Sequence, residues 1–239
     1  MIEAVIFDYG GVFSSPLFRG VGQFELDMGY PAGAVLELLF GDKAYIGIEG
    51  HAHADPSANG APTGEAVTHD WHRLEIGALS LAEWFAGVQA RAPEVLGAPI
   101  DVDAYLQFMA SMAVGVHWPV VHRARALKAR GMPIALLTNN VKEWGDHWRS
   151  TFPVDELFEV VVDSSEVGMR KPDARIYRLT CERVGVAPGA CVFIDDNADN
   201  ITAARALGME TVHFGEDPFA AVVELDGILD RRGTRPASP

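Results

Sequence analysis

Five short apolar runs, separated by helical patterns, constrain this chain more tightly than any other feature. The first spans residues 4–7, Ala-Val-Ile-Phe, with no polar position to face water. Such a run suits a strand covered on both faces of a parallel sheet. It ends abruptly in Asp8, and Gly10 and Gly11 then let the backbone turn sharply and let a ligand approach the main chain. Comparable runs occupy residues 133–138, 158–162, 191–194 and 211–214. Between them lie helix faces: Val120, Ala124 and Leu127; Val141, Trp144 and Trp148; Tyr177, Cys181 and Val184; Ile201, Ala204 and Leu207; and residues 219–229. Pro172 is expected at a helix start, where its missing N–H costs nothing. This alternation predicts an α/β fold with a doubly wound parallel sheet. Right-handed crossovers then gather the strands' carboxyl ends at one edge, where open sheets of this kind take their ligands.

One stretch breaks the alternation. From about residue 21 to 114 the pattern is helical, which is too long for a crossover and predicts a separate helical cap inserted after the first strand. Residues 34–40 form one helix candidate. Ser80 and Glu83 make a capping box. Leu81, Trp84, Phe85 and Val88 follow as an apolar stripe, with Leu79 placed to staple onto Trp84. Val102, Tyr105, Leu106, Met109 and Met112 make a second stripe; both read as packing faces. Residues 50–64, rich in Gly, Ala and Pro, read as a surface loop. His51, His53 and Asp55 alternate on it, a thin basis for a metal site. The expected division is a core of residues 1–16 and 115–232, a cap of residues 17–114, and a frayed tail of residues 233–239.

The net charge of −14 argues against nucleic acid and anionic membrane surfaces as partners. It does not exclude a phosphorylated ligand, because a metal and local cations can neutralise one. Cys181 and Cys191 are expected as buried free thiols. The opening residues carry no basic-then-apolar leader, and no apolar run reaches membrane-spanning length, so a cytoplasmic protein is the expectation. Oligomeric state is not legible.

The ends of the apolar runs carry the chemistry: Asp8, Thr138-Asn139 and Asp195-Asp196, with Lys171 on the loop after the third run. Each has an ordinary reading by itself. Thr138 or Asn140 can cap the following helix, Lys171 can be a solvated charge, and Asp195-Asp196-Asn197 can complement a helix dipole. The fold, however, brings all of them to one crevice. Metal-assisted phosphoryl transfer needs such a set. A carboxylate attacks phosphorus, and water hydrolyses the resulting aspartyl phosphate. Magnesium suits the charge, with Asp8 and Asp196 as carboxylates and Asp195 beside them. Thr138, Asn139 and Lys171 offer a hydroxyl, an amide and an ammonium to the phosphoryl oxygens.

At this point four segments, in order and spacing, resemble the motifs of the haloacid dehalogenase-type (HAD) hydrolases. Residues 7–12 (FDYGGV) resemble motif one, residues 137–139 (LTN) motif two, residues 167–173 (VGMRKPD) motif three and residues 193–201 (FIDDNADNI) motif four. The chain resembles the helical-cap branch, subfamily I. Residues 75–85 (EIGALSLAEWF) are similar to the cap of the phosphatase domain of soluble epoxide hydrolases. The resemblance implies a Rossmann-like core and a small phosphorylated substrate. It makes Asp8 the nucleophile and a magnesium ligand, with the Gly10 backbone carbonyl and Asp196 completing the protein's ligands and Asp195 supporting. It makes Thr138 and Asn139 phosphate-binding and gives Lys171 the orienting role.

One position departs from that pattern. Phosphatases of the family usually carry a second Asp two residues after the nucleophile, as general acid and base; here it is Gly10. Three readings stay open: a phosphatase that manages without this acid, favouring acyl or anomeric phosphates; a catalytically weak phosphate- or partner-binding protein; and a 2-haloacid dehalogenase, against which the acidic pair Asp195-Asp196 argues. Substrate contacts would come from the cap or its mouth, where Arg19, His69, Trp71, His72 and Arg73 are candidates.

Overall fold

In the computed structural model, which describes residues 1–16, 20–41, 69–111 and 115–234, the strands are β1 (Ala4–Phe7), β2 (Ile134–Thr138), β3 (Val160–Asp163), β4 (Cys191–Asp195) and β5 (Glu210–His213). They form one sheet of order β3-β2-β1-β4-β5, parallel throughout. β1 is central, with Phe7 level with Leu136 on one side and Ile194 on the other. The period of two sends its residues to opposite faces. Val5 and Phe7 join one buried cluster with Leu136, Ile194 and residues of the last helix, while Ala4 and Ile6 join another with Leu137, Phe193 and Tyr177. Both faces are therefore apolar, as the uniform runs predict.

The helices are α1 (Val21–Met28), α2 (Ala34–Phe40), α3 (Asp70–Glu75), α4 (Leu81–Leu96), α5 (Val102–Ser111), α6 (Trp118–Ala129), α7 (Gly145–Arg149), α8 (Val154–Leu157), α9 (Ser164–Val167), α10 (Ala174–Val184), α11 (Ala198–Ala206) and α12 (Pro218–Arg232). α1 to α5 bury a cluster of their own around Phe24, Leu38, Trp71, Trp84 and Val88. The chain leaves and re-enters the sheet region at one place. Ser15 N–H donates to Gly115 O at 2.9 Å, and His117 N–H donates to Phe13 O at 2.8 Å.

Several boundaries differ from expectation. The third strand begins at Val160, because Phe158 turns inward onto Phe13, ring centroids 5.6 Å apart. Pro172 lies ahead of the helix; Asp173 caps α10 by accepting from Arg175 N–H. The face expected through Val141, Trp144 and Trp148 is divided. A 3₁₀ turn at Lys142–Trp144 precedes α7. Val141 and Trp144 pack with the α1–α5 cluster, whereas Trp148 packs below the sheet beside Tyr9. In α5 Leu106 is exposed, and Phe108 packs in its stead against Phe24. The side chains of Met109 and Met112 lie outside what the structure describes, as do residues 50–64 with His51, His53 and Asp55. The start of the expected frayed tail is tied down: Ile2 N–H donates to Gly233 O at 2.8 Å and Ile2 bridges Thr234. Residues 235–239 lie outside the described residues. No described helix is long and apolar enough to cross a membrane.

Candidate active site

The crevice forms at the carboxyl edge of the three central strands. Asp8 continues the β1 ladder by one bond, its N–H donating to Ile194 O at 2.9 Å, so the sheet fixes where its side chain starts. Asp8 Oδ1 accepts from Tyr9 N–H at 2.7 Å and lies 2.7 Å from Lys171 Nζ. These two contacts fix the rotation of the carboxylate. Lys171 is buried, and its ammonium also meets Asp195 Oδ2 at 2.6 Å. A buried charge needs such partners.

Asp195 is engaged all round. Besides Lys171 it accepts from Asn197 N–H at 2.8 Å and from Asn200 Nδ2, at 3.0 Å on one oxygen and 3.1 Å on the other. Asn139 grips the main chain of Lys171: its Nδ2 donates to Lys171 O at 3.0 Å, and its Oδ1 accepts from Lys171 N–H at 2.8 Å. The carboxamide expected to bind phosphate is thus occupied in holding the lysine. Thr138 is buried at the end of β2, its Oγ1 3.4 Å from Asn139 O.

Asp196 lies against Gly11. Gly11 has φ +73°, and a Cβ there would come within 1.9 Å of Asp196 Oδ2. Only a glycine both tolerates that backbone and leaves room for the carboxylate. Asp8, Asp195 and Asp196 each offer an oxygen within 4.8 Å of the others. Burial pushes the Asp8 carboxyl well above its ordinary value, with Lys171 opposing and Asp195 and Asp196 adding to the rise. Burial, and then the Asp195 charge, push Asp196 up to about 7. Burial works against the Lys171 ammonium, but Asp195 and Asp8 prevail and hold its pKa above the ordinary lysine value. Three crowded carboxylates balanced by a single ammonium are short of positive charge. Hard oxygen donors in that state fit a small divalent cation.

Gly10 has no positive φ, and a Cβ there would meet nothing within 4 Å. Of the expected mouth contacts, Trp71 is buried in the α1–α5 cluster and His69 caps α3 by accepting from Trp71 N–H at 3.1 Å. Arg73 pairs with Asp70 at 3.2 Å, and Arg19 lies outside the described residues. His72 is half-buried; burial, then Arg170 and His69, lower its pKa to about 4. Sequence reasoning passed over Asn200 and the role of Gly11. Asn200 gave a signal, lying one helical turn beyond the acidic pair.

The chain belongs to the haloacid dehalogenase-like hydrolases: the family model matches residues 2–208. Mouse acyl-CoA dehydrogenase family member 10 is 30% identical over 230 residues, covering 95% of this chain and 19% of that one. Rat bifunctional epoxide hydrolase 2 is 29% identical over 166 residues, 65% of this chain and 30% of that one. A sesquiterpene phosphatase of Aspergillus oryzae is 30% identical over 112 residues, 44% of this chain and 53% of that one. The chain thus spans 19% and 30% of the length of the two larger relatives. Among solved structures, a HAD family enzyme from Bacteroides thetaiotaomicron, in complex with magnesium and inorganic phosphate, has a TM-score of 0.62 at 20% identity. It covers 91% of this chain and 97% of its own. At that identity the likeness is one of fold.

Proposed function

We propose that the protein is a magnesium-dependent phosphatase that hydrolyses a small phosphorylated metabolite through an aspartyl phosphate at Asp8. The observation that carries this reading is the buried Lys171 ammonium held between Asp8 and Asp195, with the Asp196 carboxylate beside them. Asp8 attacks phosphorus and the leaving-group oxygen departs; water then attacks the phosphoryl group, releasing phosphate and the free carboxylate. Lys171 and Thr138 bind the phosphoryl oxygens, and Asn139 acts by holding Lys171 in place. Asp8, Asp196 and the Gly10 carbonyl would hold magnesium, with Asp195 supporting through Lys171. When bound, the ion supplies the positive charge that keeps Asp8 ionised and neutralises the phosphoryl oxygens.

Helices α1 to α5 serve as a cap over the crevice, a division supported by the apolar cluster they build, which Val141 and Trp144 of the core join, and by the paired connections at 13–15 and 115–117. The two free thiols, Cys181 and Cys191, suit a reducing, cytoplasmic setting. Gly10 supplies no acid to the leaving group, so phosphates with good leaving groups, acyl or anomeric, are the favoured class. Gly10 also favours a second reading, a protein that binds phosphate with little turnover.

Phosphate release from acetyl phosphate and p-nitrophenyl phosphate decides between them. Turnover that requires magnesium and disappears in Asp8→Asn is expected. No release across a broad panel of phosphates, at several magnesium concentrations, would overturn the phosphatase reading and favour the binding one.

A further inference from the structure

The helices inserted after β1 touch the catalytic loops at a point that the chemistry above does not use. Glu75 ends α3 with its carboxylate buried, and its Oε2 accepts from Arg170 Nε at 2.6 Å. Arg170 immediately precedes Lys171. The Glu75 carbonyl accepts from Ser164 Oγ at 2.6 Å, and the same hydroxyl accepts from Asn140 N–H at 2.9 Å. Ser164 is fully buried where β3 gives way to α9. Two residues further along the insert, Gly77 has φ +69°, and a Cβ there would lie 2.7 Å from Ser165 O. The insert backbone therefore lies directly on the start of α9.

These contacts meet from both sides of the lysine. Asn139 holds the main chain of Lys171 from the end of β2. Glu75 holds the residue before it, and through Ser164 it also reaches the residue after Asn139. The ammonium can face Asp8 and Asp195 only while the loop beneath it keeps this place, and the insert supplies one of its fixings. Replacing a whole buried ion pair by apolar packing often costs little, whereas removing one partner leaves the other charge uncompensated.

We propose that Glu75 is a positioning residue for Lys171: its carboxylate, through Arg170, seats the 168–173 loop when the insert is docked, and its backbone carbonyl on Ser164 holds the insert at that place. The inference rests on the phosphatase reading for its catalytic consequence. The insert then does more than cover the crevice, because its docking and the correct placement of the lysine are one event.

The test compares wild type, Glu75→Gln and Ser80→Ala. Ser80→Ala weakens the cap of α4 and leaves the Glu75–Arg170 pair in place. Two measurements are made: amide hydrogen exchange over residues 168–173, and kcat and KM for p-nitrophenyl phosphate with magnesium. In Glu75→Gln, exchange in that segment is faster, and kcat falls by about 10–100-fold with KM unchanged. In Ser80→Ala neither moves, and Glu75→Asp recovers part of kcat. Unchanged exchange at 168–173 overturns the proposal, as does a kcat no lower than that of Ser80→Ala. If wild type hydrolyses no phosphate at all, the phosphatase reading fails while the exchange result still judges the seating. If Glu75→Gln does not fold, Arg170→Lys carries both readouts.

Discussion

A Cβ at Gly11 would lie 1.9 Å from Asp196 Oδ2, whereas at Gly10, one residue earlier, it would meet nothing within 4 Å. The two glycines answer to different demands. Gly11 is required by the neighbouring carboxylate and by its own backbone. Gly11→Ala is therefore expected to displace Asp196 and to weaken magnesium binding by about 10–100-fold, measured by titrating activity against the ion. Gly10 has no such constraint, so its lack of a carboxyl bears on chemistry and not on fit. Gly10→Asp is expected to raise turnover of alkyl phosphates by about 10²-fold or more, the scale of a positioned general acid, and that of acyl phosphates less. An equal gain on both classes would sink the leaving-group argument. At this scale the convergence of Asp8, Lys171, Asp195 and Asp196 was legible. The grip of Asn139 on the Lys171 main chain was not legible. A side-chain amide two residues beyond a core leucine offers itself equally to a phosphate and to a neighbouring backbone, and the contact with Lys171 depends on a loop about thirty residues further along the chain.

Elements were legible where a local signal decides them. The capping box appears as expected: Glu83 N–H donates to Ser80 Oγ at 3.3 Å and Ser80 N–H to Glu83 Oε2 at 2.9 Å. The helix expected from Val141 was not found as one piece, because its apolar residues serve two different clusters and the backbone must turn to supply both. Glu25 is the sharper case. On α1 it looks like a solvent-facing acid, yet it is buried and accepts from Gly33 N–H at 2.7 Å and Val35 N–H at 2.8 Å. Those donors open α2, where Gly33 has no side chain with which to cap. Pattern reading cannot see this substitute cap, because it comes from eight to ten residues away. Glu25→Ala leaves the two N–H groups without their acceptor and is expected to cost about 2–3 kcal/mol in urea unfolding. Asp8, Lys171 and Asp196 would be untouched, so turnover by the protein that remains folded is expected to match wild type.

For the whole molecule, the alternation of runs was enough to give the sheet, while the way the helical insert docks on it depends on single contacts such as Glu75 with Arg170. The site's charge also acts on the whole molecule. The chain carries a net charge of −14, and the crevice concentrates three carboxylates around one lysine. Burial, and then the Asp195 charge, push Asp196 from an ordinary 3.8 up to about 7, so between those values the folded state binds the proton that the unfolded state has lost. Stability then falls as pH rises through that window. Asp8, raised by burial against the pull of Lys171, contributes with the same sign. His72 works in the other direction. Burial, then Arg170 and His69, lower its pKa to about 4, so the unfolded state holds the extra proton and stability rises with pH up to the ordinary value of 6.5. Raw Tm profiles therefore mix opposing slopes, and the informative quantity is wild type minus Asp196→Asn. Without metal, that difference is expected to turn against wild type between about pH 5 and about pH 7.5. Magnesium, bound to the ionised carboxylates, is expected to raise the wild-type Tm more at the upper pH than at the lower. A magnesium shift of equal size at both ends, retained in Asp196→Asn, would mean that the ion binds elsewhere.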